Sequence, residues 1–558
     1  MKLKYIVIST LLLFGTIFTS CDDFFNVEPD DVLLEKNYPG SVAEIYSGYM
    51  GVSAKVQAVA DRAIFLEGLR GDLMEPTQNS TDDILDLYYY NEKESNEFAN
   101  PQAYYEVILN ANDFMYHAVK FYKENPTAME KTVIDAILSG TLRYKAWAYS
   151  MLAKIYGQAI WLDSHLTTYD NILNFGTLLD FDAVFLKCID LIENGTVIDG
   201  YEINGKNDVK WTTIWTGEES ANFYCPSSNL LLAEFYLYAG QYQKVLDCGF
   251  ALIRAANPGT SAPRFAVTKS EYNGEWVKLF RAYASRESLF FMKYDYNNNQ
   301  TNHIIDYFSS DPSCQYLIRP SQAGMDRFNT ALQAGGEEGD KYRGNGITFK
   351  SNNGNWEIYK YTSQLASSNE LYKNDVPISL CRAATLHLWL SEALVGLGRL
   401  HEALVLYDGG LSTYWNTQEA KFEPKVSPTN ATDTLGRFDD FPTCLYFPTG
   451  DGPCQGVRTR VAMKTLGNAV IKKYPNIKTD SEEMYNAKME LDSLIIDEYC
   501  LEAGAEGQAL YSMVRYAKRY DKPQAVADRV APKYADGYKE RIHARLMSRE
   551  WFINRNLE

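Results

Sequence analysis

Leu232-Ala-Glu-Phe-Tyr-Leu-Tyr-Ala-Gly240-Gln-Tyr-Gln-Lys-Val-Leu246 and Leu390-Ser-Glu-Ala-Leu-Val-Gly-Leu-Gly398-Arg-Leu-His-Glu-Ala-Leu404 superimpose without a gap at an offset of 158 residues. In both, an apolar pattern of helical period is broken by a glycine, which permits the tight turn between two antiparallel helices. Each segment therefore reads as a helical hairpin of tetratricopeptide type. A third stretch, Leu142 to Gly157, has the small and aromatic residues of a first hairpin helix, with Ala146, Ala148 and Ala153 available for close helix contact, and a fourth is suggested around Tyr104 to Tyr122. A single hairpin cannot bury its own apolar face, so three or more must stack.

Long insertions separate these segments. Residues 160–225, 256–375 and 409–490 are rich in Gly, Asn, Ser, Thr and Pro, with turn signals such as Asn194-Gly195, Asn204-Gly205 and Asn353-Gly354. They read as loops with short strands, and Glu287 to Tyr296 (ESLFFMKYDY) reads as a short buried strand. The expected fold is mainly α: a tetratricopeptide-like scaffold of helical hairpins carrying an irregular, loop-rich second lobe that contains short strands. Functional surface is expected in that lobe and in the loops that link it.

Among the 558 residues, 72 are acidic and 54 are Lys or Arg, giving a formal charge of −18. That balance argues against nucleic acid or anionic lipid as a ligand and favours neutral ones. Lys2 and Lys4, an apolar run from Tyr5 to Phe18 and the small residues Thr19 and Ser20 read as an export signal. Cys21 follows directly, so Phe18-Thr19-Ser20-Cys21 reads as a lipobox whose cysteine is lipidated. The chain thus divides into a signal peptide (1–20), a lipidated tether (21–40) and the helical domain with its insertions (41–558). The other eight cysteines are dispersed without C-x-x-C spacing; they read as small packing residues, with Cys444 and Cys454 the one local pair.

No H-E-x-x-H, G-x-S-x-G or G-x-x-x-x-G-K-[ST] occurs, so no catalytic signature nominates a reaction and no cofactor is expected. Asp295, Asn297 and Asn299, with Asp306 at the twelfth position, partly match a calcium loop, although Gln300 replaces the glycine of the sharp turn. The alternative is a solvated turn after a strand. Aromatic residues make up 14% of the chain, including 41 tyrosines. Aromatic planes pack against the C–H faces of sugars while phenol and indole groups bond hydroxyls, so they build neutral binding sites. Most serve helix packing; the candidates in polar loop contexts are Tyr88, Tyr89 and Tyr90 before Asn91, Trp356 and Tyr359 in NGNWEIYKY, and Trp415 in STYWNTQ.

In order along the chain, Cys21 with Asp22 and Asp23, Tyr105 to Asn112 (YEVILNAN), Arg143 to Gly157, Glu287 to Tyr296, Asp375 to Ala393, Gly456-Val-Arg-Thr-Arg460 and Ile496 to Tyr511 (IDEYCLEAGAEGQALY) resemble segments of the SusD/RagB family of nutrient-uptake lipoproteins of Bacteroidota. The last segment departs from the family pattern at Tyr499, Gln508, Tyr511 and Ser512. Glu498, Glu502 and Glu506 there lie four residues apart and so on one helix face. They repel unless partnered, with Arg515, Arg458 and Arg460 as candidate partners.

The resemblance implies a surface lipoprotein of the outer membrane, the acidic residues after Cys21 being similar to a surface-export mark. It would bind an oligomeric nutrient, most often a glycan, and deliver it without covalent chemistry to a SusC-like TonB-dependent transporter. It also implies that Arg70-Gly71-Asp72 ends an early helix near the ligand groove, which makes Asp72 a candidate polar contact. The rival readings are a lipid-anchored glycoside hydrolase, which needs two carboxylates about 5–9 Å apart, and a periplasm-facing scaffold that grips other proteins.

Overall fold

The computed structural model describes residues 38–163, 176–207, 225–256, 267, 280, 287–362, 368–410, 440–442, 445, 455–474 and 481–554. Gly240 (φ +69°) and Gly398 (φ +78°) adopt the left-handed backbone that the repeated segment requires. Each turns one helix into the next: Ser228–Tyr238 into Tyr242–Ala256, and Ala383–Gly396 into Leu400–Tyr407. The other two stretches do not form separate hairpins. Gln102–Glu124 and Lys131–Tyr156 are the two arms of a single hairpin, packed on each other across the short 125–130 turn.

The Lys131–Tyr156 helix is the centre of the scaffold, buried on every side from Ala136 to Tyr156. A helix so enclosed must find partners for its polar groups within the protein. Arg143 donates to Ser139 Oγ (2.8 Å), Lys145 to Leu162 O (3.1 Å) and Lys154 to Glu234 (2.8 Å). Helix Phe181–Glu193, which lies in a stretch that reads as loop in the sequence, packs on both the central helix and Ser228–Tyr238 through Phe181, Val184, Phe185, Cys188 and Ile192. It joins the first hairpin to the second. Tyr242–Ala256 then packs on Ala383–Gly396, and that helix on Glu482–Glu502, so the stack runs without a break to the C-terminal helices Ala509–Tyr520, Gln524–Val530 and Tyr538–Met547.

The second lobe is built from two-stranded ribbons. Ser288–Met292, inside the stretch read as a strand, pairs antiparallel with Ile378–Arg382. Met74–Pro76 pairs with Ile318–Pro320, Glu75 opposite Arg319, and Phe349–Asn352 forms a hairpin with Asn355–Ile358. The six described cysteines, 188, 225, 248, 314, 381 and 500, are all free, as packing residues would be; Cys444 and Cys454 lie outside the described residues.

Lobe and scaffold are joined by a buried ion network. Glu287, Asp340, Glu498, Glu502 and Glu506 meet Arg343, Lys360, Arg382, Arg458 and Arg460, so five carboxylates balance five cations, all buried. Glu502 is the hub, touching Arg343 (2.9 Å), Arg382 (2.8 Å) and Arg460. Arg458 and Arg460 are the partners the sequence suggests. Arg515 is not: it bonds Glu392, with Arg519 on the same carboxylate. Nor do the three glutamates share a helix face, because the helix ends at Glu502 and Ala505 (φ +64°) turns Glu506 away to meet Lys360 and Arg382 (2.7 Å each).

Glu67 shows the opposite electrostatics. Buried near the end of helix Ala60–Arg70, it accepts the N–H of Leu510, and burial, with Asp72 adding to it, pushes its carboxyl up to about 8. The folded chain therefore holds a proton that the unfolded chain releases near 4.5, and stability falls as pH rises between those values. Glu67→Gln keeps the acceptor and removes the titration. We expect the variant to match the parent at pH 4 and exceed it at pH 8 by about 4 kcal/mol in urea unfolding, the rise from 4.5 to about 8 taken at about 1.36 kcal/mol per pKa unit. Lys533, which burial pushes down to about 7, contributes with the opposite sign above that pH, and Glu67 is one of the three carboxylates that oppose its fall.

Candidate functional site

The ribbon of Met74–Pro76 and Ile318–Pro320 has helix Asp82–Tyr88 packed on its first strand and hairpin 349–358 packed on its second. The central cross-strand pair of this ribbon is ionic. Arg319 donates Nε to Glu75 Oε1 at 2.8 Å, the guanidinium side chain 44% exposed. Burial raises the Glu75 carboxyl and Arg319 opposes the rise. Tyr89 follows the helix on one side. It is half-buried, its ring 4.6 Å from that of the exposed Tyr538, and its phenol is raised by burial and by Tyr538 and Glu75. Trp356 stands on the other side in the second hairpin, half-buried, edge-on to Phe349 at 5.9 Å, its carbonyl accepting from Tyr316 Oη (2.7 Å).

The ribbon thus brings together two partly exposed aromatic residues with an ion pair between them. This arrangement can bind: ring faces for apolar patches, and a guanidinium and a carboxylate for hydroxyls. Tyr359 sits beside it at the start of the short helix Tyr359–Thr362, half-buried, with Lys350 Nζ 4.8 Å from its ring centre.

The remaining candidates are placed otherwise. Tyr88 and Tyr90 are not loop residues open to ligand. Tyr88 ends a helix, donates to Lys533 O and packs on Tyr534; Tyr90, 1% exposed, donates to Arg70 O beneath the Arg70 guanidinium. The Tyr88 phenol is spent on joining the N-terminal helices to the C-terminal segment, and the Tyr90 phenol on tying its own turn to the end of helix Ala60–Arg70. Asp72 does follow the end of an early helix, but its carboxylate is buried in an ion pair with Arg327 (2.7 Å), which holds helix Gln322–Thr330 beneath the ribbon. Trp415 and Cys21 lie outside the described residues.

The calcium candidates do not converge. Asp295 accepts from Asn297 N and Asn298 Nδ2 (2.9 Å each) in its own 3-10 turn, where Asn299 is left-handed, and Asp306 accepts the backbone and side-chain amides of Gln315. Among the described residues no group of three or more His, Cys, Asp or Glu side chains is arranged to hold a metal ion.

Glu75, Arg319 and Tyr538 escape a reading of the sequence. Three-residue strands carry no periodic signal, and Tyr538 reaches Tyr89 across 449 residues of chain.

No family model and no curated protein matches the sequence. Solved structures do match the architecture. A SusD superfamily protein from Bacteroides vulgatus superposes with a TM-score of 0.57 at 12% identity, covering 90% of this chain and 91% of that one. A laminarin binding SusD-like protein gives 0.54 at 14% identity, over 90% and 95%. A SusD-like carbohydrate binding protein from Bacteroides fragilis gives 0.54 at 11% identity, over 86% and 87%. At such identities the shared property is the fold, and this chain has the SusD-like fold along nearly its whole length.

Proposed function

We propose that this chain is a lipid-anchored protein of the outer cell surface that binds an oligomeric nutrient, a glycan by preference, and passes it unaltered to a SusC-like TonB-dependent transporter. The observation that carries the reading is the row of Tyr89, the Glu75–Arg319 pair and Trp356 on a SusD-like fold. The names of two structural neighbours, one laminarin binding and one carbohydrate binding, support a glycan. So does the net charge of −18, which disfavours anionic ligands. Aromatic faces with few fixed charges suit capture, because release to a partner requires binding without a covalent step.

Affinity electrophoresis of the purified protein against neutral polysaccharides, laminarin first, tests the ligand class; failure to retard on any of them removes the glycan reading. With a retarding glycan, Tyr89→Ala and Trp356→Ala should each weaken binding about tenfold in calorimetric titration, about 1.4 kcal/mol per anchor. Two variants that bind like the parent would relocate the site. Co-purification in detergent with the transporter encoded beside it tests the delivery partner, and recovery of the glycan at its original length tests the absence of chemistry.

A further inference from the structure

A cleft of about 470 Å³ opens between helix Val42–Gln57 and the turn that follows strand Ser288–Met292, and it shares no residue with the Tyr89–Trp356 row. We infer that this cleft is a second binding site, for a small neutral polyhydroxylated ligand of about the size of one or two sugar rings. The inference goes beyond the reading of the first site and stands without it.

The volume falls within the range of about 300–1,000 Å³ that small-molecule sites occupy. The lining mixes apolar surface, from Met50, Ala54 and Met292 with the rings of Tyr49 and Tyr144, and polar groups, from Gln57, Lys293, Asp295, Asn298 and Gln300 among others. One ammonium and one carboxylate balance, so no net charge selects an ion. The amides and carboxylate instead offer donors and acceptors in mixture, which is what vicinal hydroxyls require. Asp295 uses one bond on each oxygen to fix its own turn, which leaves each oxygen with further acceptor capacity; Asn298 gives only one N–H to Asp295.

The walls are held in place. Tyr294 Oη donates to Gln57 O (2.6 Å) and Gln57 Nε2 donates to Lys293 O, which clamps the turn to the helix. Within the turn, Asn298 N and Gln300 N both return to Asp295 O (3.0 Å each). Such a site needs little ordering when ligand enters. The same turn carries Tyr296, 40% exposed, which meets the 59% exposed Tyr372 edge to face at 5.4 Å.

Gly51 is the most informative residue of the lining. A glycine within a helix costs about 1 kcal/mol relative to alanine. The neighbouring Gly48 has a packing reason, since a Cβ there would lie 2.2 Å from Tyr38 Oη and 2.6 Å from Phe114. Gly51 has none: a Cβ would meet nothing within 4 Å and would project into open space. What the bare position preserves is the cleft.

The test uses saturation-transfer NMR with methyl β-D-glucopyranoside on the purified protein carrying Tyr89→Ala and Trp356→Ala, so that the first site is disabled. The expected result is a transfer signal in that background, lost when Gly51→Trp fills the cleft and reduced several-fold by Asn298→Ala. Because the position is open, Gly51→Trp is expected to fold, and its melting curve checks this. Absence of signal in the background protein, or a signal unchanged in folded Gly51→Trp, overturns the second site. A failure of the first site leaves the cleft signal in place, so the two readings fail separately.

Discussion

Glu502→Gln should lower the stability of the folded chain by about 3–5 kcal/mol, the cost of breaking a buried ion pair by removing one partner. The side chain is fully buried, and three guanidiniums converge on it from Arg343, Arg382 and Arg460. Burial by itself would raise the carboxyl, but Arg460, Arg382 and Arg343 together hold it well below the usual carboxylate range. With the charge gone, five cations face four carboxylates inside the protein, and the excess has no access to water. Chemical denaturation of parent and variant at pH 7 measures the loss; a difference under about 1 kcal/mol would mean that the network behaves as an exposed one.

Two companion results follow from the same geometry. Adding Arg460→Met restores the balance of four to four, so the double variant should be less destabilised than the sum of the two single changes. Because the folded carboxyl of Glu502 is depressed, its contribution is complete above the unfolded value near 4.5 and disappears as pH falls through the folded one. Acid unfolding of the parent should therefore proceed below pH 4.5, and Glu502→Gln should lack that part of the transition.

Cys21→Ser, produced without the proposed transporter so that no membrane partner retains it, should release the protein from the membrane altogether. The apolar run from Tyr5 to Phe18 falls short of the roughly 20 residues that span a bilayer, and among the described residues no helix is long and apolar enough to cross one. The proposed attachment is then the acyl chains on Cys21, each buried methylene contributing about 0.8 kcal/mol. Several chains hold the protein lastingly and none holds it at all, so the expected change is a transfer of the protein from the membrane fraction to the soluble one, with loss of labelled fatty acid. A parent chain that incorporates no fatty acid, or a Cys21→Ser chain that still sediments with membranes after a salt wash, would refute the anchor. Protease shaving of intact cells then reports the face: digestion supports the outer surface, protection the periplasmic side.

The helical scaffold was legible because its signal is local. The glycines of LAEFYLYAG and LSEALVGLG mark turns that any chain with that apolar period must make, and the structure places both in the left-handed region. Helix Phe181–Glu193 is hidden in the sequence although its apolar positions repeat every three to four residues, because the Gly- and Asn-rich stretches around it dominate the composition of the 160–225 segment. The network was half legible. Like charges spaced four apart announced a need for partners, and Arg458 and Arg460 supplied some of them. Arg343, Arg382 and Glu287 come from remote segments that no spacing rule connects.

The binding face divides the same way. Polar sequence around Tyr88-Tyr89-Tyr90 drew notice to all three rings, yet a helix that ends at Tyr88 sends successive side chains to different sides, and only Tyr89 keeps a partly exposed ring. The sequence by itself determined the hairpin period, the acidic charge and the cysteine that follows the apolar run of Tyr5 to Phe18, since each is read from the chain without its folding. Tertiary structure alone decided which aromatics are spent in packing, which strand sets Arg319 against Glu75 and which arginines besides Arg460 neutralise Glu502. Those are choices among contacts between segments remote in the chain, fixed by how the lobes pack and by no feature of local order.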